Sequence, residues 1–164
     1  MDRRYMSKKE FTHVSPEGLP RMVNVSDKEM TKRTAKARAV VNTGPEILEL
    51  IQGNELILKK GPVFQTAIIA GVMGAKKTSE LIPFCHPIAL EDCQVMISIQ
   101  NGKIVIDTEA VTTGKTGIEM EALAAASVAA LTVYDMCKAL SHNIVIEEIK
   151  LIEKTGGKKD FKRN

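Results

Sequence analysis

Alternation and helical spacing divide the chain into a short series of elements. From Thr34 to Thr43, Ala35, Ala37, Ala39 and Val41 fall on one side and Lys36, Arg38 and Val40 on the other. That period of two predicts a strand. The same period returns in Cys93, Val95, Ile97 and Ile99, set against Gln94, Met96 and Ser98. It returns again in Ile104, Ile106 and Thr108, set against Val105, Asp107 and Glu109. Asn101 and Gly102 stand between these two runs, and Asn-Gly is the pair best suited to the positive backbone angles of a tight hairpin. A β-branched run from Asn143 to Ile152 predicts a further strand, and Arg21–Val25 reads as a short one.

Helical spacing fills the gaps. Phe64, Ala67, Ile68, Gly71 and Val72 supply the buried face of a helix running from Pro62 to about Leu81, with Pro62 in the first helical position. A shorter helix, Glu46–Ile51, opens at Pro45 and ends by Gly53. The longest apolar stretch, GKTGIEMEALAAASVAALTVYDMCKAL (Gly114–Leu140), predicts a buried helix from about Gly117 to Ala139. Thr116 and Glu119 fit a capping box at its start. Strand, helix, hairpin, helix, strand is the βαββαβ order. The fold expected is therefore α+β and ferredoxin-like, an antiparallel sheet with two long helices on one face. Residues 19–155 form the single domain of this reading, between a loose segment (1–18) and a mobile basic tail (156–164).

Composition narrows the class. The 164 residues are 44% hydrophobic and 26% charged, as in an ordinary globular domain, with a net charge of +3. That mild excess suits an anionic small molecule. Aromatics are only 4% and Trp is absent, so a stacking platform for single-stranded nucleic acid has little to be built from. Three cysteines without a CxxC spacing favour a reducing, cytoplasmic setting. The first ten residues have no apolar core for export, and the apolar part of the central helix reads as too short to span a bilayer. The expectation is a soluble chain with no membrane partner.

The candidate chemistry lies at the ends of elements. Cys85 and His86 sit in a loop stiffened by Pro83 and Pro87, where a Cys-His pair is more often structural than catalytic. His13 and His142 have no ligand spacing with it, so no metal site is expected, although a His on a rigid loop can still donate a hydrogen bond to a phosphate or carbonyl. Asp135 and Lys138, three residues apart, share a helix face: they are a surface ion pair or a proton-exchanging pair, and the local pattern supports both. The capping box accounts for Glu119 but not for Glu121. GKTG (Gly114–Gly117) ends like a phosphate-binding loop, but Glu109 stands where its first Gly belongs, so a P-loop is rejected and a plausible anion-binding helix start remains.

Geometry adds a constraint. Fourteen residues separate Glu121 from Asp135, which places them on roughly one face but about 21 Å apart at 1.5 Å per residue. One compact substrate cannot reach both on a single helix. Two copies packed antiparallel about a two-fold axis would bring the start of one helix to the end of the other, and the small residues between would permit the contact. A dimer-shared site follows.

Three stretches together, FTHVSPEGLPRMVNVSDKE, KKTSELIPFCHPIAL and GKTGIEMEALAAASVAALTVYDMCKAL, resemble the cyclic pyranopterin monophosphate synthase family of molybdenum cofactor biosynthesis (MoaC). The likeness runs from about Phe11 to Lys162 and includes the closing KTGGKKDFK. The resemblance implies a cytoplasmic lyase that acts after a radical enzyme has turned GTP into a cyclised dihydroguanosine triphosphate. Such a lyase rearranges that purine-triphosphate intermediate to cyclic pyranopterin monophosphate and releases pyrophosphate, with no metal or organic cofactor. It implies a homohexamer of three dimers with sites at the dimer interface. Carried onto this chain, the family's acid/base residues fall on Asp135, Lys138 and Lys60. Its substrate contacts fall on Phe84, Cys85, His86, Met120 and Glu121, with Arg33 and Lys154 as further basic contacts.

Those residue types suit the chemistry implied. A triphosphate calls for several Lys and Arg side chains, opening and reclosing a ring calls for general acids and bases, and the cations can stabilise leaving pyrophosphate. Two alternatives stand beside this reading. A basic ferredoxin-like domain could bind RNA or a regulatory ligand, but its central strands would need exposed aromatics, and 93–99 and 103–111 contain none. Another nucleotide-processing activity could occupy the same scaffold.

Overall fold

The computed structural model describes residues 18–164. The loose segment expected before residue 18, and His13 with it, lies outside the described residues. In chain order the elements are β1 (Thr31–Asn42), α1 (Pro45–Leu48), β2 (Ile57–Leu58), β3 (Gly61–Pro62), α2 (Val63–Lys76) and α3 (Thr78–Leu81). There follow β4 (Asp92–Gln100), β5 (Lys103–Gly114), α4 (Glu119–Cys137), β6 (Val145–Thr155) and β7 (Phe161–Lys162). The main sheet is antiparallel in the order β4-β5-β1-β6-β7, and β2 pairs with β3 in a small hairpin. Without its short edge strand β7, this is the ferredoxin-like order expected.

The alternation in β1 sorts its side chains. Ala35, Ala37, Ala39 and Val41 are buried, opposite Ala110, Thr108, Ile106 and Ile104 of β5. Small residues on the central strand let the Ala-rich face of α4 lie close. The buried Thr108 hydroxyl ties the layers, donating to the Ala122 carbonyl of α4 at 2.8 Å. On the open face Arg38 grips Asp107 with two hydrogen bonds, at 2.7 and 3.0 Å. Asn101 (φ 51°) and Gly102 (φ 69°) make the expected hairpin turn.

Helix α2 packs on α4 through glycines. A side chain at Gly74 would come within 2.6 Å of Val128, and one at Gly71 within 3.0 Å of the Ala125 carbonyl. The expected continuous helix to Leu81 breaks at Lys77, where the Thr78 hydroxyl donates to the Ala75 carbonyl at 2.9 Å. Pro62 stands one place earlier than expected, at the cap position, and pairs with Ile57. The capping carboxylate comes from Glu55, which accepts from the amides of Phe64 at 2.7 Å and Gln65 at 3.1 Å. This capped hairpin holds the turn that carries Lys59 and Lys60.

Other expectations need correction. Arg21–Val25 is not a strand; its backbone is held instead by His86 at the Val23 carbonyl. α1 is one turn, shorter than expected. The capping box does not form: Ile118 is the N-cap residue of α4, and the Glu119 carboxylate turns away to Lys154. In the tail, Phe161 and Lys162 pair with Lys154 and Glu153. By length and composition α4 is also apolar enough to cross a membrane, with a mean hydropathy of 1.3 over 18 residues. Half of that window is buried inside the protein, and the buried positions Ala122, Ala125, Ala126, Ala129, Ala130 and Val133 face its own core. It is a core helix.

Candidate active site

The candidate residues gather at the two ends of α4. At its C-terminal end the Asp135 carboxylate stands between two ammonium groups. Lys138 reaches Oδ1 at 2.6 Å and Lys60 reaches Oδ2 at 2.8 Å. Lys60 also donates to the Asp135 carbonyl at 3.0 Å, so the turn before α2 is fastened to the last turns of α4. The hydrogen bonds from Lys138 and then Lys60 hold Asp135 down at about 2, against an ordinary 3.8. Asp135 in turn raises Lys138. All three side chains remain about half exposed, so the cluster is open to a ligand.

At the N-terminal end a cavity of about 370 Å³ is lined by Phe84, Cys85, His86, Met120 and Glu121, together with Val23, Val25, Lys28, Thr116 and Glu119. Glu121 is 4% exposed, and its Oε2 has no hydrogen-bond partner. Burial raises its pKa above 4.5, with the nearby charge of Glu119 acting in the same direction. Burial also raises the Cys85 thiol, and the Glu121 charge adds to the effect, so Cys85 is no activated nucleophile. Phe84 and Met120 are partly exposed at the lip, apolar surfaces on which a flat ring can lie.

A second cavity, of about 380 Å³, adjoins the first and shares Lys28, Gly117 and Glu119 with it. Arg33, Lys154, Lys158 and Lys159 also line it. Arg33 is steadied by its Nε, which donates to the Gly114 carbonyl at 2.9 Å. Sequence reasoning singled out Arg33 and Lys154 but missed Lys28, and it left Lys158 and Lys159 in the mobile basic tail. Only the return of the tail through β7 reveals that those lysines belong here. Among the described residues no group of three or more His, Cys, Asp or Glu side chains is arranged to hold a metal.

Seven of the ten residues singled out therefore meet around two joined cavities, and three form the distant Asp135 cluster.

Comparison with known proteins meets this geometry. A family model described as the MoaC family matches residues 22–157. The chain is 50% identical over 155 residues to a molybdenum cofactor biosynthesis bifunctional protein of Synechocystis, covering 92% of this chain and 45% of that one. It is 48% identical over 167 residues to molybdenum cofactor biosynthesis protein 1 of Dictyostelium discoideum, covering 91% and 26% respectively. A cyclic pyranopterin monophosphate synthase of Peptoclostridium acidaminophilum is 48% identical over 155 residues, covering 94% of this chain and 98% of that enzyme. The chain thus spans less than half of the first two relatives and nearly all of the third. With the match extending over most of the sequence, from ahead of β1 to beyond the end of β6, the chain belongs to the MoaC family.

Proposed function

We propose that this chain is a cyclic pyranopterin monophosphate synthase. It takes the cyclised dihydroguanosine triphosphate made from GTP and releases pyrophosphate as it forms cyclic pyranopterin monophosphate. The observation that carries this reading is the pairing of the two cavities at the start of α4. One is apolar-lipped with a buried carboxyl, the size and character of a purine-ring site; the other is ringed by five cationic side chains, as a polyphosphate requires. The nearly full-length match to the Peptoclostridium synthase supports the same reading. The open sheet face, with Arg38 paired to Asp107 and Lys36 to Glu109, offers ion pairs rather than aromatics and disfavours RNA.

In this proposal Phe84, Cys85, His86, Met120 and Glu121 hold the ring, and Arg33 and Lys154 hold phosphates. Asp135, Lys60 and Lys138 serve as the general acids and bases as the ring opens and recloses. Closure of the cyclic phosphate forms a bond from a sugar hydroxyl to the first phosphorus and breaks the anhydride bond to the second, and the cations stabilise the departing pyrophosphate. The ring cavity of one copy is completed by the Asp135 cluster of a second, in a homohexamer of three dimers. The separation of the clusters along α4 supports that sharing, as do exposed Ile69 and Met73 on α2 and Leu131 on α4. Three free thiols suit a cytoplasmic enzyme.

The test is incubation with the cyclised intermediate, reading pyrophosphate and pterin for the wild type and Asp135→Asn. Product from the wild type with a loss of about 10²-fold or more in the variant is the expected result. No product from folded wild-type protein would return the chain to a ligand-binding role.

A further inference from the structure

Glu119 lines both cavities, with Lys28 and Gly117. Its carboxylate caps no amide of α4. It folds back over Gly117, where any side chain would collide with it, and from there Oε1 accepts from Lys154 Nζ at 2.7 Å. The pair is partly buried, with Lys154 37% and Glu119 26% exposed. Lys28, Arg33, Lys158 and Lys159 line the same cavity, so five cations share it with this one carboxylate.

We infer that Glu119 is the site's own placeholder anion. It occupies Lys154 in the free protein, gives way to the substrate's polyphosphate, and so decides which anions enter. This rests on the polyphosphate reading of the cavity given above. An incoming anion of low charge offers Lys154 little more than Glu119 already supplies, and Glu119 competes at the high effective concentration of a tethered group. A polyphosphate brings more charge and more acceptor oxygens, and it spans cations that a single carboxylate cannot satisfy at once. The exchange therefore favours polyphosphates. When pyrophosphate leaves, the carboxylate closes on Lys154 again and opposes rebinding of the product.

The experiment is calorimetric titration of the full chain with inorganic phosphate and with inorganic pyrophosphate, for the wild type, Glu119→Gln, Lys154→Met and the double variant. Glu119→Gln keeps the side chain's size and removes its charge. Phosphate binding is expected to tighten about tenfold, a change of ~1.4 kcal/mol, and pyrophosphate binding by less, so selectivity for pyrophosphate falls. Lys154→Met is expected to weaken both anions and to abolish the gain in the double variant. Phosphate binding that is unchanged or weaker in folded Glu119→Gln overturns the inference, as does a gain that survives loss of Lys154. Should Glu119→Gln not fold, Glu119→Asp, whose shorter chain withdraws from Lys154, is expected to move selectivity the same way, and unchanged selectivity there overturns it equally. Synthase turnover is read separately. Turnover with unaltered selectivity in the variants removes the placeholder and keeps the synthase; altered selectivity without wild-type turnover does the reverse.

Discussion

Lys60 meets Asp135 twice, donating to the carboxylate at 2.8 Å and to the main-chain carbonyl at 3.0 Å. One ammonium group thereby fixes both the side chain and the backbone of its partner. The rotamer of Asp135 is held in register with the helix end, and Lys138 closes on the other carboxylate oxygen at 2.6 Å.

Asp135 is expected to titrate at about pH 2 rather than at 3.8, because the hydrogen bonds from Lys138 and Lys60 favour its charged form. A carboxylate depressed in this way adds stability above its unfolded pKa, and that stability is lost as the pH falls through about 2. The half-exposed setting keeps the effect on stability small, so the titration itself is the measurement. Carbon-detected NMR of the carboxyl should place the midpoint near 2 and move it toward 3.8 in Lys138→Met. A midpoint indifferent to that change would show that the contact does not persist in solution.

Glu121 points the other way. Burial raises its pKa, so the folded state holds this proton more tightly than the unfolded chain does. Its contribution is most favourable below 4.5 and is lost as the pH rises through the folded value. Glu121→Gln should therefore raise the unfolding free energy at neutral pH by on the order of 1 kcal/mol, seen as a higher melting temperature, and have little effect in acid. It should weaken substrate binding at the same time. A variant less stable at neutral pH than the wild type would mean that the buried carboxylate has a partner in solution.

Gly74→Ala should destabilise the α2–α4 contact by about 1–3 kcal/mol, since the new methyl would press on Val128, while better helix propensity returns up to ~1 kcal/mol. Val128→Ala added to it should recover part of the loss. Denaturant unfolding of the two single variants and the double variant decides the matter; additive losses would rule out the steric account.

Gly156→Ala tests how the tail reaches the site. Gly156 has φ 81°, accepts from the Thr31 hydroxyl at 2.7 Å and donates to Asp160 at 3.1 Å. A methyl there would strike the Lys32 carbonyl. The expected cost is about 1–3 kcal/mol, with weaker pyrophosphate binding as Lys158 and Lys159 lose their placement. Pyrophosphate affinity equal to that of the wild type would remove those two lysines from the site.

The strands were legible because a period of two is a local property, visible in Ala35, Ala37 and Ala39 without knowledge of their neighbours. Asn101 and Gly102 were legible for the same reason. The cap of α2 was not, because Glu55 lies nine residues before Phe64, beyond the reach of any capping pattern. The capping box at α4 misled because its Glu119 finds Lys154, thirty-five residues away, a better partner than a local amide. The aligned site residues could be named from resemblance, but their separation into two groups needed the helix length. Lys28 needed more still: it lies in one of the stretches that carry the resemblance, but nothing there distinguishes it as the lysine that lines both cavities.

Placing the two groups at opposite ends of one helix makes them separable lesions. If the site is shared between two copies as proposed, a chain broken only at Asp135 and a chain broken only at His86 should each be inactive as pure proteins. Dissociated and mixed, they would then assemble pairs in which one site receives both defects and the other receives none. About half of the random pairs are of this mixed kind, each with one intact site of two, so close to a quarter of wild-type turnover should return from two dead proteins. Two such alleles in one cell would complement each other, although neither could support the reaction alone.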